Sequence, residues 1–151
     1  MIINAEHYRA ASLERIAAAS GEYGARRYAD CIYLSGLAVE AMLRAYRYRR
    51  DPEFDSRHDL ASLLKASNFE DFVPKKRRAE VAASLGEVWT RWKNDYRFAS
   101  SDRLVTAFRS SGLFSGVEGD GLKANAGIIL NNGLSLVSVG EARWQMTSRA
   151  E

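Results

Sequence analysis

The sequence predicts an all-α fold, an up-and-down bundle of about five helices joined by short connections. Three observations predict it. Apolar residues recur at three- and four-residue steps along most of the chain, strong helix formers fill the positions between them, and period-two alternation is confined to one short stretch. At 151 residues the chain suits one domain over 1–151, a size at which folding buries roughly 68–70% of the unfolded surface. With 46% hydrophobic and 27% charged residues it has a globular composition, and no proline-rich linker, repeat or low-complexity tract divides it.

The elements follow in order. Residues 5 to 19 carry Tyr8, Leu13, Ile16 and Ala17 at helical spacing, and Gly21 and Gly24 punctuate the chain after them. A second helix is expected from about 22 to 49, with Tyr28, Ile32, Ser35, Val39, Met42 and Tyr46 on its stripe and Gly36, Ala38 and Ala41 leaving room for a close neighbour. Pro52 ends it, because proline disfavours helical geometry in the residue before it. A short helix from about 58 to 67 presents Leu60, Leu63 and Leu64.

Pro74 suits the first position of a helix running to about 98, with Val81, Leu85, Val88, Trp89, Trp92 and Tyr96 on one stripe. A shorter helix, about 101 to 111, precedes a loop at 112 to 121 whose four glycines mark it as mobile. Leu122, Ala126, Ile129, Leu130, Leu134 and Val137 then fit one last helix. Asn131-Asn132-Gly133 offers a kink there, or the turn of a hairpin with 134 to 139 as a strand.

The lone cysteine, Cys31, excludes an intramolecular disulfide framework and sits in an apolar stretch, as a core residue would. The N-terminus lacks the regions of a secretory signal, and the longest uncharged run, 124 to 140, is too short and too interrupted by Asn and Gly to span a bilayer. A cytoplasmic protein with no membrane contact is expected. A net charge of +3 and a pI near 9.1 permit phosphate binding without announcing it. No metal-ligand cluster, phosphate-binding glycine loop or serine-hydrolase elbow is present, so no metal or cofactor is expected.

Glu40 is the only charged residue between Cys31 and Leu43, a stretch expected to face the interior. A carboxylate there needs a partner, since isolating it in apolar surroundings costs several kcal/mol or more. Arg44 one turn on, His58 and Arg97 are the candidates, and the group is either a structural clamp or part of a site. Arg97 follows Trp92 and Tyr96, where a guanidinium beside aromatic rings can hold phosphate or stack on a base. Lys75, Lys76, Arg77 and Arg78 crowd the start of a helix against its macrodipole, which suggests phosphate contact or a solvated face.

Residues 33 to 45 (Tyr-Leu-Ser-Gly-Leu-Ala-Val-Glu-Ala-Met-Leu-Arg-Ala), then His58-Asp59-Leu60, then Trp92 with Tyr96-Arg97, together resemble the signature positions of HEPN domains, named for nucleotide binding in higher eukaryotes and prokaryotes. Lys123, Asn125 and residues 140 to 144 resemble that family's last helix. The resemblance implies a dimerising helical bundle of the type that serves as a nucleotidyltransferase's substrate-binding subunit, often paired with that enzyme as toxin and antitoxin, and in many members an RNase. The RNase members carry Arg, four to six residues, then His. Before His58 the arginine window holds Asp51, Pro52 and Glu53, and after Arg97 the histidine window holds Asp102, Arg103 and Leu104. The imidazole usual for metal-independent cleavage is therefore missing there.

The sequence thus points first to a non-catalytic homodimer that binds nucleotide, RNA or a partner such as a nucleotidyltransferase, through Glu40, Arg44, His58, Trp92, Tyr96 and Arg97. The alternative is a divergent metal-independent endoribonuclease with His58 and Arg97 catalytic. A third reading is a structural interaction module anchored by Trp89, Trp92 and Trp144.

Overall fold

The structure is a computed structural model and describes residues 1–54 and 73–148. All regular elements among these residues are helical. They form a bundle in which α1 (Ala5–Gly24), α2 (Tyr28–Arg50) and α5 (Gly121–Ser148) make the main stack, and α3 (Arg78–Arg91) packs mainly on α5. The expected helix at 58 to 67 lies outside the described residues.

Helix α1 begins at a reciprocal capping box: Asn4 Oδ1 accepts from the His7 backbone N–H at 2.9 Å, and the Asn4 N–H donates to His7 Nδ1 at 3.2 Å. The helix runs through Gly21 and Gly24, five residues beyond the expected end. A glycine inside a helix costs only about 1 kcal/mol, and tertiary packing exceeds that. The chain reverses instead at Arg26, whose φ of 62° makes it the one described non-glycine residue in the left-handed region. Ala38 accepts from Ser12 Oγ at 2.7 Å, and Tyr8 stacks on Tyr48 with centroids 5.1 Å apart, so α1 and α2 form an antiparallel hairpin.

Helix α5 runs parallel to α2. Cys31 Sγ meets the Ala126 carbonyl, Ser35 packs by Gly133, Met42 by Gly140, and Tyr46 Oη donates to the Gly140 carbonyl at 2.6 Å. The same 28-residue helix is antiparallel to α1, through Ile16 on Gly133 and Arg9 on Glu141. It passes unbroken through Asn131-Asn132-Gly133, so the hairpin alternative is wrong. Asn132 Nδ2 donates to the Ile128 carbonyl one turn back at 2.8 Å, and the missing side chain of Gly133 admits Ile16, whose Cδ1 would lie 3.2 Å from an added Cβ. Both residues serve the helix they were expected to break.

The single helix expected from 74 to 98 is three segments. Pro74, at φ −53° and ψ 137°, is not helical, and Lys75–Arg77 form a 3-10 turn before α3 starts at Arg78. Helix α3 stops at Arg91, Trp92 and Lys93 are extended, and Asn94–Phe98 form a second 3-10 turn. The break is caused by Trp92, which leaves the helical path to lie on α2: its indole N–H donates to the Tyr33 carbonyl at 3.0 Å and its ring stacks with Tyr33.

Helix α4 (Ser101–Ser110) is capped by Ser100, whose Oγ accepts from the Arg103 N–H, and buries Leu104 and Phe108. The glycine-rich stretch before α5 is a run of hydrogen-bonded turns, with Gly112, Gly116 and Gly119 all at positive φ. No helix among the described residues is long and apolar enough to cross a membrane.

Candidate nucleic-acid interface

Glu40 and Arg44 meet as expected from their spacing. Arg44 Nη2 donates to Glu40 Oε1 at 3.0 Å, each side chain only 14% exposed, with the acidic residue N-terminal to the basic one as an i, i+4 pair prefers. The carboxylate thus has its neutralising partner within its own helix, as a structural clamp requires. Tyr8 lies close enough to feel both charges, and its phenol is pushed up chiefly by burial and then by Tyr48. His58 lies outside the described residues. The other imidazole, His7, is engaged in the cap of α1.

Trp92 and Tyr96 belong to the packing. Trp92 is 5% exposed and locked on α2, while Tyr96 is half-buried against Phe108, its phenol pushed up by burial and by Asp95. Arg97 points the other way. It is exposed on the second 3-10 turn, and its guanidinium carbon lies 4.7 Å from the ring centroid of Phe98, a side chain left 79% in water. Beside this pair opens a hollow of about 410 Å³ lined by Asp95, Tyr96, Phe98, Ala99, Arg103 and Leu104.

The basic run at 75–78 is on the surface. Arg77 pairs with Glu80 at 3.3 Å, whereas Lys75, Lys76 and Arg78 are exposed and make no ion pair among the described residues. The structure therefore gathers the expected residues into three places: Glu40 with Arg44, Arg97 with Phe98, and the cluster at 75–78.

Sequence reasoning overlooked Arg91. It is buried, its Nε donates to Asn125 Oδ1 at 2.8 Å, and its Nη1 meets Glu87, while Asn125 Nδ2 donates to the carbonyls of Leu113 and Gly121. The signal was present, because position 91 continues the buried stripe Val81, Leu85, Val88. This network fastens the end of α3 to the start of α5 and to the turns between α4 and α5.

Cys31 is fully buried, and burial pushes its thiol up to about 11, away from nucleophilic use. No group of three or more His, Cys, Asp or Glu side chains is placed to hold a metal among the described residues.

No protein-family model, curated protein or solved structure matches this chain. The chemistry of its own side chains has to carry the functional reading.

Proposed function

We propose that this chain is a non-catalytic nucleotide- or RNA-binding domain of HEPN type, acting as a homodimer and partnered by a nucleotidyltransferase in a toxin and antitoxin pair. The observation that carries the binding reading is the exposed Arg97–Phe98 pair beside its hollow. A phenylalanine left almost wholly in water is unfavourable unless something covers it, and exposed apolar surface beside polar groups marks interaction sites. An aromatic ring with a guanidinium is the arrangement that holds a base by stacking and its phosphate by charge, without needing a particular sequence. Arg103, on the rim of the same hollow, supplies a second cation.

The reading favours binding over cleavage because no described imidazole accompanies Arg97 and the histidine window after it holds Asp102, Arg103 and Leu104. The uncharged outward positions of α5, where Leu134 is exposed, suit contact with a second copy.

The test is binding of a fluorescent single-stranded RNA by wild type, Arg97→Ala and Phe98→Ala, in chelator, with mass measured by light scattering. A dimer that binds RNA intact, and binds it more weakly in both variants, supports the reading. A monomer, or equal affinity in all three proteins, overturns it.

A further inference from the structure

A second cleft lies across α4 from the Arg97–Phe98 pair. Its volume is about 660 Å³, and it opens where the α1–α2 turn meets the first turns of α4 and α5. Arg26, Tyr28, Ser101, Val105, Asp120 and Lys123 line it. Arg26 reaches it from the left-handed residue of the turn, and neither Arg26 nor Lys123 forms an ion pair among the described residues. Leu122 and Val105 continue the wall into an adjoining hollow of about 380 Å³, where Arg109 supplies a third cation.

The lining is chemically divided. Arg26 and Lys123 are cations, Ser101 adds a hydroxyl, Val105, Leu122 and the ring of Tyr28 make an apolar side, and Asp120 is the one acid. At the two helix starts beside the cleft, Asp120 Oδ1 accepts the Lys123 N–H at 3.0 Å and Ser100 Oγ the Arg103 N–H. One carboxylate oxygen of Asp120 is used in that cap, and the other is available as an acceptor.

We propose that this cleft binds a phosphate monoester carrying sugar hydroxyls, a nucleoside monophosphate or a sugar phosphate. Arg26 and Lys123 take the phosphate oxygens, Ser101 donates to the same group, and Asp120 accepts from a hydroxyl of the ligand. Two cations against one anion suit a dianionic phosphate. The carboxylate selects against a bare anion and for a ligand that brings its own donor, since an acceptor facing phosphate alone is repulsive. A ring attached to the sugar finds Val105 and Leu122. The site shares no side chain with the Arg97–Phe98 pair and stands or falls independently of it.

The test titrates the full chain with adenosine 5′-monophosphate, ribose 5-phosphate, adenosine and inorganic phosphate, by calorimetry and by amide NMR shifts. Wild type is expected to bind at least one of the two esters saturably, with shifts at Arg26, Ser101 and Lys123. Tighter binding of the adenosine ester than of the ribose ester assigns the cleft to nucleotides, and equal binding assigns it to sugar phosphates.

The double variant Arg26→Ala/Lys123→Ala, at exposed positions that leave the core intact, is expected to weaken the ester tenfold or more, whereas Arg97→Ala/Phe98→Ala leaves it unchanged. Asp120→Asn keeps an N-cap side chain, and is expected to weaken the esters while strengthening inorganic phosphate. Absence of saturable ester binding by wild type overturns the proposal. So does unchanged affinity in the Arg26/Lys123 variant, or an Asp120→Asn change of the same sign for ester and inorganic phosphate.

Discussion

Trp92 lies against the backbone of Gly36 so closely that a Cβ on Gly36 would stand 2.1 Å from two atoms of the indole. No side chain but hydrogen fits, and the indole cannot withdraw cheaply because it is buried and its N–H is bonded to Tyr33. Gly36→Ala is therefore expected to destabilise by at least the ~1–3 kcal/mol of an overpacked core, and Trp92→Ala by ~3–5 kcal/mol. Urea unfolding followed by circular dichroism checks both, and a Gly36→Ala protein as stable as wild type would contradict this packing.

Arg91 and Asn125 make a second test of packing. Asn125→Ala removes the acceptor of a buried guanidinium N–H and frees the carbonyls of Leu113 and Gly121. Stranding a buried polar group costs ~1–3 kcal/mol, so a fall in Tm of roughly 2–12 °C is expected in a domain of this size. Scanning calorimetry reads it.

Arg97→Ala and Phe98→Ala are expected to leave Tm nearly unchanged, since substitutions on exposed surface usually stay within ±0.5 kcal/mol. Their effect belongs to RNA affinity. Loss of a stacking platform costs ~1–3 kcal/mol, a weakening of about 5- to 150-fold. Fluorescence anisotropy beside thermal melts separates the two effects.

Cys31 gives a pH dependence with a definite sign. Its thiol is raised from an ordinary 9.0 to about 11 by burial, with Ser35 opposing. Above the ordinary value the unfolded chain releases this proton and the folded chain keeps it, so the unfolded state binds fewer protons and stability falls as pH rises. The contribution is complete below pH 9 and lost by about pH 11. Cys31→Ala is expected to flatten the slope of unfolding free energy across that window, by up to roughly 3 kcal/mol at its upper end. Tyr46, raised further by burial, contributes a slope that the variant retains.

The Glu40–Arg44 pairing was legible in the sequence, and the surroundings of Arg97 were not. Glu40 and Arg44 are one turn apart on one helix, so their pairing follows from helical periodicity. The sequence places Arg97 beside Trp92 and Tyr96, yet the ring it meets is Phe98, next in sequence, because the expected continuous helix is a 3-10 turn at that point. The cleft of Arg26, Ser101 and Lys123 left no trace in sequence, since it joins three turns distant along the chain.

The sequence alone determined the helical class, most of the stripes of α2, α3 and α5, with Leu134 of the expected α5 stripe exposed instead, and the burial of Cys31, because each depends on residues within a few turns of one another. The tertiary structure decided where helices end. Gly21, Gly24, Asn131 and Gly133 carry breaker propensities of about 1 kcal/mol, which packing outweighs, while Trp92 ends α3 without any local signal because its best burial lies across the bundle on Gly36. Local preference is a small energy, and the contacts that exceed it join residues far apart in the chain.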